Sequence, residues 1–299
     1  MSILVVGSVA FDSVKTPYGE AEESIGGSAT YFSAAASFYT PVDIVAVVGR
    51  DFPRESLQFL SERHVDLSGL EVADGQTFRW AGEYEPNMND RQTLDTQLNV
   101  FADFHPNLTD RHREQPFVFL ANIDPELQGS VLHQTIHPKL IVCDTMDFWI
   151  SGKREALLET LTKVDVLIIN DSEARELVDD YNLARAANQI LGLGPRAVVI
   201  KRGEHGATLI TNDTYFSVPA FPVLTVIDPT GAGDSFAGGF VGYLAKSQDT
   251  SDTGLKNAMV HGSVMASFNV EDFSVRRLES LTQHEIDLRY ERFIDMLTL

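Results

Sequence analysis

The stretch Val226 to Phe240, V-I-D-P-T-G-A-G-D-S-F-A-G-G-F, constrains this chain more than any other. An apolar run, Val223 to Ile227, broken only by Thr225, ends at Asp228-Pro229. Thr230 stands where an N-cap is expected, just before Gly231-Ala232-Gly233. From Asp234 the pattern turns helical. Phe236, Phe240 and Leu244 recur every four residues, and Gly238 and Gly242 form a second, small-residue stripe. The segment predicts a strand, a glycine turn and a helix able to pack closely on a neighbour. The first turn of a helix carries free backbone N–H groups and the positive end of the dipole. Glycines let a phosphate reach those groups. Asp234 puts a carboxylate at the same place. Such a turn suits phosphoryl transfer to a hydroxyl: the N–H groups stabilise the phosphoryl oxygens and the carboxylate accepts the proton. Read locally, the same residues describe only a capped helix start, where Asp is common for dipole reasons.

Taken whole, D-P-T-G-A-G-D resembles the signature of the PfkB (ribokinase-like) family of carbohydrate kinases, which phosphorylate sugars and nucleosides. The resemblance implies that Asp234 is the catalytic base and that Gly231, Ala232 and Gly233 form the anion hole. It implies ATP and Mg2+ as cofactors. It also places Asp228 and Thr230 where several relatives offer oxygens to a monovalent cation such as K+.

Composition narrows the alternatives. With 299 residues, 43% hydrophobic and 22% charged, the chain is an ordinary globular one, long enough for one large α/β domain. A formal net charge of -20 repels nucleic acid and anionic membranes, so neither is expected as a partner. It also repels ATP at long range, so a nucleotide site needs local donors or magnesium. The single cysteine, Cys143, excludes an internal disulfide and fits a reducing, cytoplasmic setting. The apolar run Ile3 to Val6 is too short for a signal peptide or a membrane span. No G-x-G-x-x-G follows the first strand, no G-x-x-x-x-G-K-[ST] occurs, and no His or Cys has zinc-site spacing.

Ile3 to Val6 reads as a buried parallel strand ending at Gly7. Asp12 follows where open α/β sheets place ligands, though an Asp there also serves a turn. Gly26-Gly27 opens an Ala-rich helix from Ser28 to about Phe38. The resemblance makes Asp12, Gly26, Gly27 and Ser28 the acceptor-binding residues. Many sugar kinases of the family carry an Asn shortly after the glycine pair, where this chain has Thr30-Tyr31. A strand over Val42 to Val48 ends at Gly49-Arg50-Asp51, and Pro53 opens a helix to about His64. From Gly69 to Phe104 aromatic and polar residues mix in strand fashion around a turn at Glu85 to Asp90. The resemblance makes this hairpin a lid over the acceptor and a surface for a homodimer; by composition alone it is equally a solvent-facing arm. Arg79 and Arg91 on it could meet a substrate phosphate, although exposed strand arginines usually bind nothing.

The middle of the chain alternates strand and helix, which predicts a mostly parallel sheet. Asn122, Asp124, Asp144 and Asp147 fall at successive strand ends and are expected to rim the cleft. At Asn170-Asp171-Ser172-Glu173 the spacing is that of a capping box. The resemblance adds a role near metal and phosphates, with Glu173 holding Mg2+ through water. Lys201 to Ala207 carries Gly203 and Gly206 in the family's glycine spacing, but with Lys201 where the family often has Thr; this lysine either reaches nucleotide phosphates or lies at the surface. The resemblance places the adenine beside a helix around Leu255 to Phe268, with Asn257, His261 and Ser263 as its polar candidates and His261 assigned to ATP binding.

These readings converge on a single ribokinase-like α/β domain over 1–299. Its mostly parallel central sheet has helices on both faces, with a small β-sheet lid from about 12–25 and 69–104. The expected reaction is ATP-dependent phosphorylation of a hydroxyl, of the hydroxymethyl kind, on a sugar or sugar-containing molecule. One alternative is an adenosine-like nucleoside kinase, in which Phe11, Tyr31, Phe78 and Trp80 stack on a base. Another is a ligand-binding protein that keeps the fold without turnover.

Overall fold

The protein is described by a computed structural model over residues 2–298. Its strands are β1 (Ile3–Val6), β2 (Ala10–Thr16), β3 (Gly19–Gly26), β4 (Val42–Gly49), β5 (Val65–Ala73), β6 (Arg79–Tyr84), β7 (Arg91–Gln97), β8 (Phe117–Leu120), β9 (Leu140–Asp144), β10 (Val166–Asn170), β11 (Ala197–Lys201), β12 (Ala207–Thr211) and β13 (Tyr215–Val218). Nine of them form one sheet in the order β13-β12-β11-β10-β9-β8-β1-β4-β5. From β5 to β11 every neighbour is parallel, and only β12 and β13 run antiparallel. β1 is central, with Ile3 facing Val42 on one side and Phe117 on the other.

The unbroken apolar strands reflect burial on both faces. Alternate residues of each strand enter two different cores. Ile3, Val5, Phe119, Val142, Ile168 and Val199 pack on one side, against helices Ser28–Ala36, Ala232–Ser247 and Asp252–Asn269. Leu4, Val6, Leu120, Cys143, Ile169 and Ile200 pack on the other, against helices Pro125–Gln134, Arg154–Leu161, Asp171–Val178 and Leu183–Leu191.

The small-residue stripe has the expected use. A Cβ on Gly238 would collide with the Phe32 carbonyl and come within 2.8 Å of Ala35 Cβ, so the motif helix lies directly on helix Ser28–Ala36. Gly262 on helix Asp252–Asn269 makes the same allowance, 2.9 Å from the Phe236 carbonyl oxygen. These approaches lock the motif helix between two neighbours, and its first turn lies beside Lys201 at the end of β11.

Two expectations need correction. No strand precedes the glycine turn: residues 219–230 run as irregular chain, with prolines at 219, 222 and 229 and with Leu224 fully exposed. Proline cannot donate to a ladder, and the segment's backbone is held instead by Ile227 N donating to Val270 O. The lid also has different bounds. Its sheet, in the order β3-β2-β6-β7, comprises residues 10–26 and 79–97. Residues 65–73 pair with β4 as the edge of the large sheet, and 99–103 form a 3-10 turn. No helix among the described residues is long and apolar enough to cross a membrane.

Candidate active site

The glycine turn is the centre of the site. Gly231 has φ 74 and is the helix N-cap, with Ser235 N donating to its carbonyl at 2.8 Å. A left-handed cap needs glycine twice over here, for its dihedral and because a Cβ would strike the Tyr31 ring. Thr230 is therefore not the capping residue. Its hydroxyl donates to Tyr84 on the lid at 3.3 Å, and its carbonyl accepts from Asn269 Nδ2 at 2.7 Å. Asn269 also takes the Ser235 hydroxyl at 2.9 Å, which fixes the first helical turn from behind.

Asp234 lies in that first turn, part-exposed towards the mouth. Burial of its carboxyl and the nearby Asp144 push its pKa up to about 8, against the pull of Lys201. Lys201, at the end of β11, forms an ion pair with Asp144 at 3.0 Å. Its Nζ also lies under the turn, 2.9 Å from where a Cβ of Gly233 would stand. Burial opposes its charge, but Asp144, Glu173 and Asp234 outweigh it and hold the pKa above the ordinary lysine value. The surface-lysine reading is excluded: this ammonium is the cation of an acidic pocket.

Asn170 and Glu173 form the capping box that their spacing predicts. The Asn170 side chain accepts from Glu173 N at 2.8 Å, and Glu173 Oε2 accepts from Asn170 N at 2.9 Å. Burial raises the Glu173 pKa to about 7, with Asp144 and Asp147 adding to it and Lys201 opposing. Gly203 and Gly206 shape the turn after β11, and the lid reaches it: Asn89 Nδ2 donates to Glu204 at 3.3 Å. The small sheet thus touches the Gly203 turn through the loop between β6 and β7.

On the other side, Asp12 on β2 and Gly26-Gly27 on β3 come together. Gly27 N donates to Asp12 Oδ2 at 3.4 Å, and any side chain on Gly26 would collide with that carboxylate. Burial pushes Asp12 up to about 7, and Asp228 adds to it, while Gly27, Tyr31 and Arg91 oppose. Ser28, expected as an acceptor contact, is instead a clamp. Its hydroxyl lies 3.1 Å from Ser8 Oγ, and its N donates to the same oxygen at 3.0 Å, tying the glycine turn to the end of β1.

Trp80 pairs with Asp12 across β2 and β6, so both side chains share the inner face of the lid. Trp80 is one of the residues proposed to stack on a base, and the strand register sets it on the same face as Asp12. Arg91 pairs with Tyr84 and lies 5.1 Å over the Trp80 ring. Arg79, one residue off, faces outward and is neutralised by Glu23 and Asp51, both at 2.8 Å. Of the other proposed base-stacking residues, Phe11 packs on Phe52 and Phe78 on Phe101.

One further expectation fails. His261 does not face the site: its ring stacks between Tyr243 and Tyr290, and Nδ1 lies 3.2 Å from the Tyr39 hydroxyl. Burial and Lys246 lower its pKa to about 4, so it sits there neutral, as part of the packing. Asp228 Oδ1 accepts from Thr230 N at 2.8 Å and Oδ2 from Ser274 N at 3.2 Å, so the carboxylate braces the glycine turn. No cluster of three or more His, Cys, Asp or Glu among the described residues forms a metal cage. Magnesium that keeps its waters needs no cage.

A profile of the pfkB family carbohydrate kinases matches residues 2–280. The chain belongs to the pfkB family of carbohydrate kinases. It is accordingly an ATP-dependent kinase of ribokinase-like fold. It is 28% identical to the cytidine kinase of Thermococcus kodakarensis over 81% of this chain and 88% of that one. To the nucleoside kinase of Methanocaldococcus jannaschii it is 25% identical, over 90% of both chains. Among solved structures, the Burkholderia thailandensis nucleoside kinase in complex with ADP-inosine superposes with a TM-score of 0.78 at 19% identity, covering 98% of this chain and 96% of that one.

Proposed function

We propose that this pfkB-family kinase transfers the γ-phosphoryl group of ATP to a hydroxyl, of the hydroxymethyl kind, on a sugar or on the sugar of a nucleoside. The observation that carries this reading is the position of Asp234. It stands in the first turn after the Gly231 cap, between the Asp12 face and the Lys201-Glu173 face. The acceptor lies on Asp12 and the Gly26-Gly27 turn, and the nucleotide phosphates lie over Lys201 and the Gly203 turn. As the acceptor oxygen bonds to phosphorus, the bond to the bridging oxygen breaks and ADP leaves. The hydroxyl proton passes to Asp234. The N–H groups of Gly231 to Gly233 stabilise the phosphoryl oxygens in transfer, and Lys201 adds a fixed positive charge beneath them. Magnesium supplies charge neutralisation on the phosphates; Glu173, carrying an oxygen not used by the capping box, is the residue that would hold its waters.

The nucleoside form of the reading is favoured by Trp80, an aromatic face beside Asp12 on the inner side of the lid. It is also favoured by similarity to two relatives named for nucleosides. The exposed strand β7 leaves the lid an edge through which two copies can pair. The test is ADP release with ATP and magnesium over a panel of sugars, sugar phosphates and nucleosides, with wild type beside Asp234→Asn. One acceptor whose turnover collapses in the variant supports the reading and names the substrate class. Turnover that survives the substitution removes Asp234 from the mechanism, and silence across the panel favours a binding protein.

A further inference from the structure

The loop between β6 and β7 touches the nucleotide turn, and no step above uses it. Its shape is fixed from within. Asn87 Oδ1 accepts from Asn89 N and from Asp90 N, both at 3.0 Å. Asn87 Nδ2 donates to Asp90 at 2.7 Å, and Asn89 Nδ2 donates to Asn87 O at 3.1 Å. Met88, at φ 57, packs against the cluster of Val14, Ala21, Tyr84 and Phe273, as Trp80 and Ile227 also do. The small sheet therefore carries this loop with it, and the loop presents the Asn89 carboxamide outward. Both ends of that amide meet the turn Gly203–His205. Nδ2 donates to Glu204 Oε1 at 3.3 Å, and a Cβ on Gly203 would collide with Oδ1. Gly203 thus leaves room for a side chain of the small sheet.

Resting on the reading that phosphates lie over the Gly203 turn and the acceptor under the small sheet, we propose that Asn89 is a positioning residue: a latch through which bound nucleotide holds the small sheet down over the acceptor. The reason is electrostatic. Glu204 is an exposed acid on that turn, in a chain of net charge -20. An N–H aimed at it is favoured by the local negative potential, and more so once phosphate charge arrives beside it. A ligand shifts a conformational equilibrium only by interacting differently with the two states. Here the states are the sheet seated on the turn and the sheet lifted from it, and only the seated one brings the Asn89 dipole into that field. By linkage, nucleotide and acceptor then tighten each other by the same factor. One exposed, charge-assisted hydrogen bond is weak, so that factor is about two- to fivefold.

The test uses the full chain with MgADP and cytidine as probes. Trp80 lies on the small sheet, and Trp149→Phe removes the other of the two tryptophans, so the remaining emission reports the sheet. MgADP should change that emission in step with its calorimetric binding. With Asn89→Ala added, the nucleotide should still bind but the emission should no longer respond. MgADP should tighten cytidine about two- to fivefold on wild type and leave it unchanged on Asn89→Ala. Asn89→Asp, which sets a second carboxylate against Glu204, should turn the factor below one, and adding Glu204→Lys should restore it. Asn89 and Glu204 are exposed, so these variants should melt with wild type. The ratio of cytidine affinities with and without nucleotide cancels any general effect of charge, so rescue by the swapped pair separates a latch from a damaged loop. MgADP that binds wild type without moving Trp80 emission overturns the proposal, as does a response that Asn89→Ala retains. If MgADP does not bind, the nucleotide reading falls and the latch with it. If Trp80 responds through Asn89 while cytidine does not bind, the latch stands and cytidine alone is removed as an acceptor.

Discussion

Replacing Asp234 by Asn should damage turnover and stabilise the unliganded protein together, because one cause underlies both. The carboxyl is isosteric with the amide, so packing is conserved. What changes is the proton that the carboxyl retains in an acidic pocket beside Asp144, a retention that Lys201 opposes. The native group keeps its proton up to about pH 8, while an unperturbed Asp releases it near 3.8. Between those values folding takes up a proton. The stability this group contributes is therefore full below about pH 4 and is lost as pH rises towards 8, at most about 1.4 kcal/mol per unit. Four units set an upper bound of about 6 kcal/mol. Partial exposure at the mouth and screening by solvent reduce this to about 2–3 kcal/mol. For a chain of this length that is a rise of about 4 °C in melting temperature at pH 8, which vanishes at pH 4. Turnover should fall by about 10²–10⁴, the usual contribution of a general base. Calorimetric melting at both pH values and coupled ADP release supply the two readouts. A variant that melts with wild type at pH 8, or gains equally at pH 4 and 8, would falsify the electrostatic reasoning; undiminished turnover would refute the base assignment.

Other consequences are as open to measurement. Lys201→Met removes the charge that opposes protonation of Asp234, so the acidic limb of the kcat/KM profile should move to higher pH, with about a 100-fold loss at pH 7; an unmoved limb would separate the lysine from the base. Gly231→Ala must adopt φ 74 and displace the Tyr31 ring, costing about 2–4 kcal/mol in urea unfolding along with most of the activity; a stable, active variant would contradict the described turn. His261→Ala should cost about 2–3 kcal/mol through loss of its stack on Tyr243 and Tyr290 yet change the KM for ATP less than twofold. A large rise in that KM would restore the histidine to the nucleotide site.

Much of the catalytic chemistry was local enough to read from the sequence. A helix dipole, the glycines at its start and the carboxylate in its first turn are neighbours in the chain, so Gly231 to Asp234 announce an anion hole with a base. The capping box of Asn170 and Glu173 is legible for the same reason, as both partners lie within one turn. The parallel sheet was legible because strands buried on both faces must be continuously apolar, as Ile3 to Val6 and Val166 to Ile169 are. What the sequence could not determine are the relations between distant segments. Whether Lys201 is a surface lysine or the cation beneath Gly233 depends on β9 and β11 standing on either side of β10, which brings Asp144 within 3.0 Å. His261 has a composition that suits a ligand, but helix rotation turned it to Tyr243 and Tyr290. Trp80 joined the site, and Arg79 left it, because side chains alternate across a strand and the register of β6 against β2 selects one parity. Sequence alone determined which chemistry is present, since it depends on neighbours along the chain. Tertiary structure decided which charges share a pocket, since Coulomb interactions and burial follow distance in space.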